Sequence, residues 1–393
     1  MGSDSVTENN LRQNLQLQSD FIYVHSQTAL EKLNQRINAA ARVAVDTEAD
    51  SLHNYFEKVC LIQLSIEGTH YLVDPLAGLE LNGFLAVLTA KPLIFHAGDY
   101  DLRILRASTG FRPDGEIFDT MIAAQLLGIE QLGLAALIER CFAITVGKEG
   151  QKSDWSQRPL SDKQLQYAVN DTRYLEELAD RLAAELAAKG RVGWHRESCR
   201  AMVHASARDN PRDPDEAWRL KGAGRLTRRQ LAYLRELWRW RDGHARRFNR
   251  PPFKVFGNQQ IFDLIQWAEA HPNEPLDQGP KLPRNIHGAL LTTLSEAVAR
   301  AAAMSPAEWP ELIKHQRGEA PSPESVDRAA MLRNCCADIA KALEISPSVL
   351  APRAALEAIA RNHPHGVDEI ITRGGLLRWQ AEQIQDAVEK CCA

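Results

Sequence analysis

Strand-forming patterns in this chain crowd into its first hundred residues and then stop, which divides it before any motif is considered. RVAVD (42–46), KVCLIQLSIEG (58–68) and THYLVDPL (69–76) are apolar, β-branched runs separated by turns such as Glu67-Gly68-Thr69. That composition fits a pleated, buried surface. Three such strands in succession predict a meander. A helical pattern over 79–90 leads into a further strand, PLIFHAG (92–98), and from there helices dominate, a long one beginning near Leu160-Ser161-Asp162. The pattern predicts an α/β domain, a mixed sheet flanked by helices.

The segment ARDNPRDPDEAW (207–218) is rich in Asp, Pro and Arg and marks a domain boundary, beyond which strand patterns are lacking. An internal repeat follows: VFGNQQIFDLI (255–265) lies over VLAPRAALEAI (349–359) without gaps, each copy preceded by a helix and Pro. Pro-rich stretches at 271–283 and 319–325 tie two helical units together. The expected layout is a mobile segment at 1–19, an α/β domain at 20–206, and all-α domains at 213–298 and 320–393.

Acidic residues mark the ends of the early elements. In VAVDTEAD (43–50), Asp46 and Glu48 stand two apart at the end of a strand, so both side chains leave it on one face. In LIFHAGDYDLRIL (93–105) a strand and Gly turn precede a helix opening on Asp99 and Asp101. Asp99 reads as the cap and Asp101 as the third carboxylate, with the roles exchanged if the turn shifts by two residues. Tyr167 and Asp171, four apart in QLQYAVNDTRYLEEL (164–178), share one helix face. Asp119 reads as an N-cap and His96 as a satisfied core histidine. Four carboxylates and a phenol describe a site whose oxygen ligands hold two hard cations, Mg²⁺ or Mn²⁺. Such a pair stabilises the attacking and leaving oxygens of a phosphoryl displacement, which is nuclease chemistry. With a reference pKa of about 10, the Tyr167 phenol is a poor base and is assigned to orienting the attacking water.

As a set these motifs resemble the DEDD 3′→5′ exonuclease superfamily in its tyrosine-containing branch, and within it the ribonuclease D family. The first family motif corresponds to Asp46 and Glu48, the second to Asp101 in HAGDYDL, and the third to Tyr167 and Asp171 in YAVNDTRYL. The strings CLIQLS (60–65), FDTMIAAQLLG (118–128) and SDWSQRPLSDKQLQYA (153–168) extend the resemblance over roughly residues 20–200. It implies a ribonuclease-H-like fold and 3′→5′ hydrolysis of RNA to nucleoside 5′-monophosphates, with trimming of tRNA precursors and other stable RNAs. In the expected mechanism Asp46 bridges two cations, Glu48 and Asp171 complete the nucleophile side, and Asp101 supports the leaving-group side. His53, Tyr55 and Gln63 resemble positions lining the family's substrate groove. Trp155 and Arg158 are expected to frame that groove, Arg158 at a phosphate, with structural packing the equal alternative for Trp155.

The two helical units resemble HRDC domains, the second copy being the more diverged. Residues 217–260 hold twelve Lys and Arg against Glu236 and Asp242, in a chain of net charge −4. The first unit is therefore a cationic surface on an acidic protein, expected to meet RNA backbone, with Arg228, Arg229, Arg246 and Arg247 among the contacts. Deleting 207–393 is expected to weaken RNA binding and leave the active site intact. In and just before LRELWRWR (234–241), Leu231, Leu234 and Trp238 read as the core stripe.

With 44% hydrophobic residues the chain can bury more than one core. Seven cysteines, an odd number that includes the adjacent pairs Cys335–Cys336 and Cys391–Cys392, do not suit a disulfide framework. With a polar N-terminus and no long apolar run, neither secretion nor membrane insertion is expected, and the reducing cytoplasm is the expected compartment; a monomer is what the resemblance implies. Two alternatives stay open: a 3′→5′ DNA exonuclease of proofreading or Werner type, and a catalytically silent nucleic-acid-binding protein.

Overall fold

The computed structural model describes residues 21–147, 149–208, 213, 215–272, 274–312 and 322–392. The expected mobile segment at 1–19 lies outside them. The chain forms two compact units, one of Met1–Ala49, Lys58–Arg208 and Glu319–Ala393, the other of Asp50–Glu57 and Asp209–Gly318.

The first unit is built on β1 (Ile22–Val24), α1 (Gln27–Ala39), β2 (Val43–Ala49), β3 (Val59–Ile66), β4 (Thr69–Val73), α2 (Asn82–Thr89), β5 (Leu93–Phe95), α3 (Asp99–Thr109) and β6 (Ile117–Asp119). Helices α4 (Thr120–Leu126), α5 (Leu134–Phe142), α6 (Asp162–Arg173), α7 (Leu175–Ala188) and α8 (Val192–Ala207) follow. The sheet is mixed, in the order β1-β4-β3-β2-β5-β6. β2, β3 and β4 pair antiparallel as the expected meander, and β5 and β6 continue it in parallel. The β3–β4 turn holds Glu67 and Gly68 at φ 50° and 75°, the left-handed pair that tight hairpins use. β1 and β6 went unread in the sequence because three residues carry no measurable alternation.

Alternation along β2 sorts the two faces. Val43 and Val45 pack with Leu33, Ile37, Phe84 and Leu105, the side of α1, α2 and α3, while Ala44 packs with Leu178 and Leu182 of α7. Continuing the period, Asp46 and Glu48 fall on the side of the later helices and Thr47 on the side of α3. Strand β3, paired on both edges, is buried along all eight residues.

The second unit contains α9 (Arg228–Arg247), α10 (Pro252–Val255), α11 (Asn258–Ala270) and α12 (Ala289–Ala303) around Tyr233, Leu237, Phe256, Ile265 and Leu294. A Thr227–Gln230 capping box starts α9. Leu231 and Leu234 are buried in this core as expected, but it continues through Tyr233, Leu237 and Trp240, so Trp240 is the buried tryptophan and Trp238 only half-buried.

Helices α13 (Pro323–Ala342), α14 (Pro347–Leu350), α15 (Arg353–Asn362), α16 (Gly366–Gly374) and α17 (Arg378–Cys392) belong to the first unit. Leu332, Ile359, Trp379 and Ile384 share one core with Leu137, Leu178 and Leu182. Arg191 donates to the Leu126 and Leu343 carbonyls at 2.6 Å each, and Gly128 (φ 78°) lies so near the Glu344 carbonyl that any Cβ would overlap it. The sequence repeat is a repeat of local structure: α9 and α13 have 20 residues each. A four-residue helix follows each, ended by extended residues, Phe256 at φ −156° and Ala351 at φ −151°. Among the described residues no helix is long and apolar enough to cross a membrane, and Cys60, Cys141, Cys199, Cys335, Cys336 and Cys391 form no disulfide.

Candidate metal centre

The β2–β5 ladder covers only Val43 and Ala44, so towards its C-terminal end β2 parts from its neighbour. The Thr47 N–H, released by that parting, is taken by Asp101 from the first turn of α3: Oδ1 accepts from Thr47 N at 3.0 Å and from Thr47 Oγ1 at 2.6 Å. A register shift between Glu48 and Ala49 breaks the β2–β3 ladder just past the acids, where bulges commonly re-aim side chains. On the other face, a Ser161–Gln164 capping box fixes the start of α6. Ala168, Val169 and Thr172 face the sheet, with Ser65 Oγ donating to Thr172 Oγ1 at 2.9 Å, and this phase turns Tyr167 and Asp171 towards β2. One carboxylate oxygen each from Asp46, Glu48 and Asp171 then lies within 4.8 Å of the others.

Burial pushes the Asp46 carboxyl well above the ordinary range, with the charges of Asp101, Asp171 and Glu48 adding to it. Burial and the Asp171 and Asp101 charges raise Glu48 to about 9. Asp171 rises to about 7 through burial, against the bond it accepts from Tyr167, and Asp101 to about 6, held back by the Thr47 bonds. None of the described ion pairs brings a Lys or Arg to these four acids. The buried Asp171 Oδ2 has no hydrogen-bond donor. Clustered carboxylates with an orphaned oxygen and no basic partner are the donor set of a hard cation. Burial and Asp171 also raise the Tyr167 phenol, which stays protonated and can donate a hydrogen bond but not act as a base. Gly150, at φ 117°, sits where a Cβ would come within 3.0 Å of the Tyr167 Cβ, closing a loop over the ring.

The five motif residues thus gather at one end of β2, Asp101 joining from the opposite face through Thr47. Asp99 points outward to Arg103 at 2.7 Å, so the exchange of roles does not occur, and Gly98 rather than Asp99 is the cap. Asp119 caps α4 as expected and also accepts from Gly98 N at 2.8 Å. Other expected contacts need correction. Gln63 pairs with Asp46 across the strands but is fully buried, so it cannot meet RNA at the surface. Arg158 spends all five of its donors inside the fold, on Asp74 at 2.7 Å twice and on the Cys60, Trp155 and Gln157 carbonyls, leaving none for a phosphate. Trp155 is buried beside Tyr167. Arg228 donates to the Trp309 and Pro310 carbonyls and pairs with Glu311, while Arg229 is half-buried. His53, Tyr55, Arg246 and Arg247 belong to the helical unit. Thr47 was overlooked because alternation assigns it to the face away from Asp46 and Glu48, which is where Asp101 arrives.

Residues 21–187 match a family model described as 3'-5' exonuclease, and residues 230–274 match that of the HRDC domain. The sheet and its acidic end therefore define an exonuclease of the 3′→5′ class. A ribonuclease D of Pseudomonas paraeruginosa is 30% identical over 88% of this chain and 90% of its own length. That of Zymomonas mobilis is 33% identical over 72% and 73%. The structure of Escherichia coli RNase D, described as an exoribonuclease involved in structured RNA processing, covers 94% of this chain and 98% of its own, with TM-score 0.69 and 25% identity. A protein from Bifidobacterium adolescentis shares the fold at TM-score 0.80 and 22% identity over 95% of this chain and 97% of its own. The chain belongs to the ribonuclease D family of 3′→5′ exoribonucleases.

Proposed function

We propose that the protein shortens RNA from a free 3′ end, releasing nucleoside 5′-monophosphates, with tRNA precursors and other stable RNAs as substrates in the cytoplasm. The observation that carries this is the meeting of Asp46, Glu48 and Asp171 oxygens within 4.8 Å, beside the protonated Tyr167 phenol and with no basic partner among the described ion pairs. Asp46, Glu48, Asp101 and Asp171 would hold two divalent cations, Mg²⁺ or Mn²⁺. Bound there, the cations supply Lewis-acid stabilisation of the attacking and leaving oxygens. Tyr167 would orient the attacking water through its hydroxyl oxygen, which the hydrogen bond to Asp171 holds in place, and Thr47 holds the Asp101 carboxylate in place. The working domain limits are 20–206 for the exonuclease domain, 213–298 for the first HRDC domain and 320–393 for the diverged copy, and the protein acts as a monomer.

The test is incubation with a 3′-accessible single-stranded RNA and its DNA counterpart in Mg²⁺, Mn²⁺ or EDTA, following product lengths. Stepwise, metal-dependent shortening of RNA is expected; equal or faster shortening of DNA would overturn the substrate assignment. Asp46→Asn should abolish hydrolysis and spare folding and RNA binding, and retained metal-dependent activity in that variant would remove Asp46 from the site.

A further inference from the structure

Within the helical unit, two segments far apart in sequence are pinned into one surface. Helix α9 ends at Phe248, and Asn249 adopts the left-handed conformation (φ 45°) that lets Arg250 N close back on the Ala245 carbonyl at 2.9 Å. The Asn249 side chain, aimed by that turn, accepts from Tyr55 N at 3.1 Å and Phe56 N at 3.2 Å and donates to Asn54 at 3.0 Å. Tyr55 donates to Asp242 at 2.8 Å beneath the Arg246 guanidinium, and Lys254 lies 3.3 Å from His53. Three phenylalanines stand out from these segments, Phe56 and Phe253 at 57% exposure and Phe248 at 50%. Two are propped rather than loose: Phe248 stacks on His244 at 11°, and Phe56 meets the Tyr55 ring edge-on at 5.0 Å. Arg247 lies over Phe248, and Arg250 and Lys254 are exposed beside it.

Exposed rings interleaved with cations match a single-stranded polynucleotide better than an apolar partner, because bases stack on the rings while phosphates meet the cations. We propose that Phe56, Phe248 and Phe253, with Arg247, Arg250 and Lys254, form a stacking platform for single-stranded RNA. This rests on the RNA reading above and adds that the strand is gripped through its bases, at a surface to which the loop after β2 contributes.

The test uses the full chain in EDTA, with a fluorescent twelve-nucleotide oligoadenylate and a blunt RNA duplex as probes. The triple variant Phe56→Ala, Phe248→Ala, Phe253→Ala should bind the single strand about 30-fold more weakly or worse, and the duplex within about twofold of the parent. Trp at the same positions should restore binding, which separates stacking from any loss of folding. Arg247→Gln, Arg250→Gln and Lys254→Gln together should reduce the slope of log K against log salt by about 2. Single-strand binding within about twofold of the parent, equal loss on both probes, or Trp variants no better than Ala overturn the proposal. So does altered sedimentation of the RNA-free Ala variant, which would make the surface a self-association face. Shortening of the same oligonucleotide by the parent in Mg²⁺ is followed in parallel: its absence would sink the exoribonuclease reading and leave the platform standing.

Discussion

Glu48, Asp171 and Asp101 hold their protons more tightly in the fold, at about 9, 7 and 6, than in an unfolded chain, where carboxyls titrate at about 4. Between those limits the folded protein binds more protons than the unfolded one, so in EDTA their contribution to stability is full below about pH 4 and is lost as the pH rises towards 9. Glu48→Gln should therefore melt higher than the parent in EDTA, by a margin that widens from pH 6 to pH 9, and a constant margin in thermal melts would contradict the raised values. Divalent cation should narrow that margin, since binding displaces the same protons. Thr47→Val keeps the backbone bond to Asp101 and removes the 2.6 Å hydroxyl bond. Exonuclease kcat should fall about 10- to 100-fold, the usual cost of losing a partner that orients a ligand, with little change in RNA affinity. The pairs Asp46/Glu48 and Tyr167/Asp171 were legible in the sequence because spacing by two on a strand and by four on a helix fixes a shared face. Thr47 was not, because its role depends on where β5 stops pairing with β2.

At the scale of elements, the 155–158 turn ahead of α6 is held by charge rather than by regular structure. Burial lifts the Asp74 carboxyl, but the bonds from Arg158 and Tyr23 outweigh it and keep the group below its usual range. Replacing Arg158 with Ala leaves that buried carboxylate without its cation, on the Tyr23 and Leu76 bonds alone, and frees three carbonyls, a loss of roughly 3 kcal/mol. The variant should unfold at lower urea with the KM for RNA unchanged, whereas a raised KM in a stable protein would return Arg158 to the substrate. From sequence, an Arg before a Pro near an active site reads equally as a phosphate ligand. Only the closing of β4 against the 155–158 turn commits all five donors inward.

For the whole molecule, the sequence repeat is genuine in local structure, yet the second copy completes the core of the exonuclease unit through Leu332, Ile359 and Trp379. A protein ending at residue 318 would expose Leu137, Leu178 and Leu182, so it should aggregate or melt at least about 10 °C lower and lose nuclease activity with its fold. Full activity at the parent melting temperature would show the two cores to be independent. The deletion of 207–393 expected to spare the active site carries the same exposure. The sequence by itself determined the strand meander, the acidic constellation, the cationic first repeat and the family, since these depend on local periodicity and on residue types at fixed spacing. Tertiary structure alone decided that Gln63 and Arg158 face inward, that Thr47 holds Asp101, that the 50–57 loop belongs with α9, and that the second repeat joins the first unit. Each of these turns on which surfaces meet across long separations, and burial there is decided by packing that no local pattern encodes.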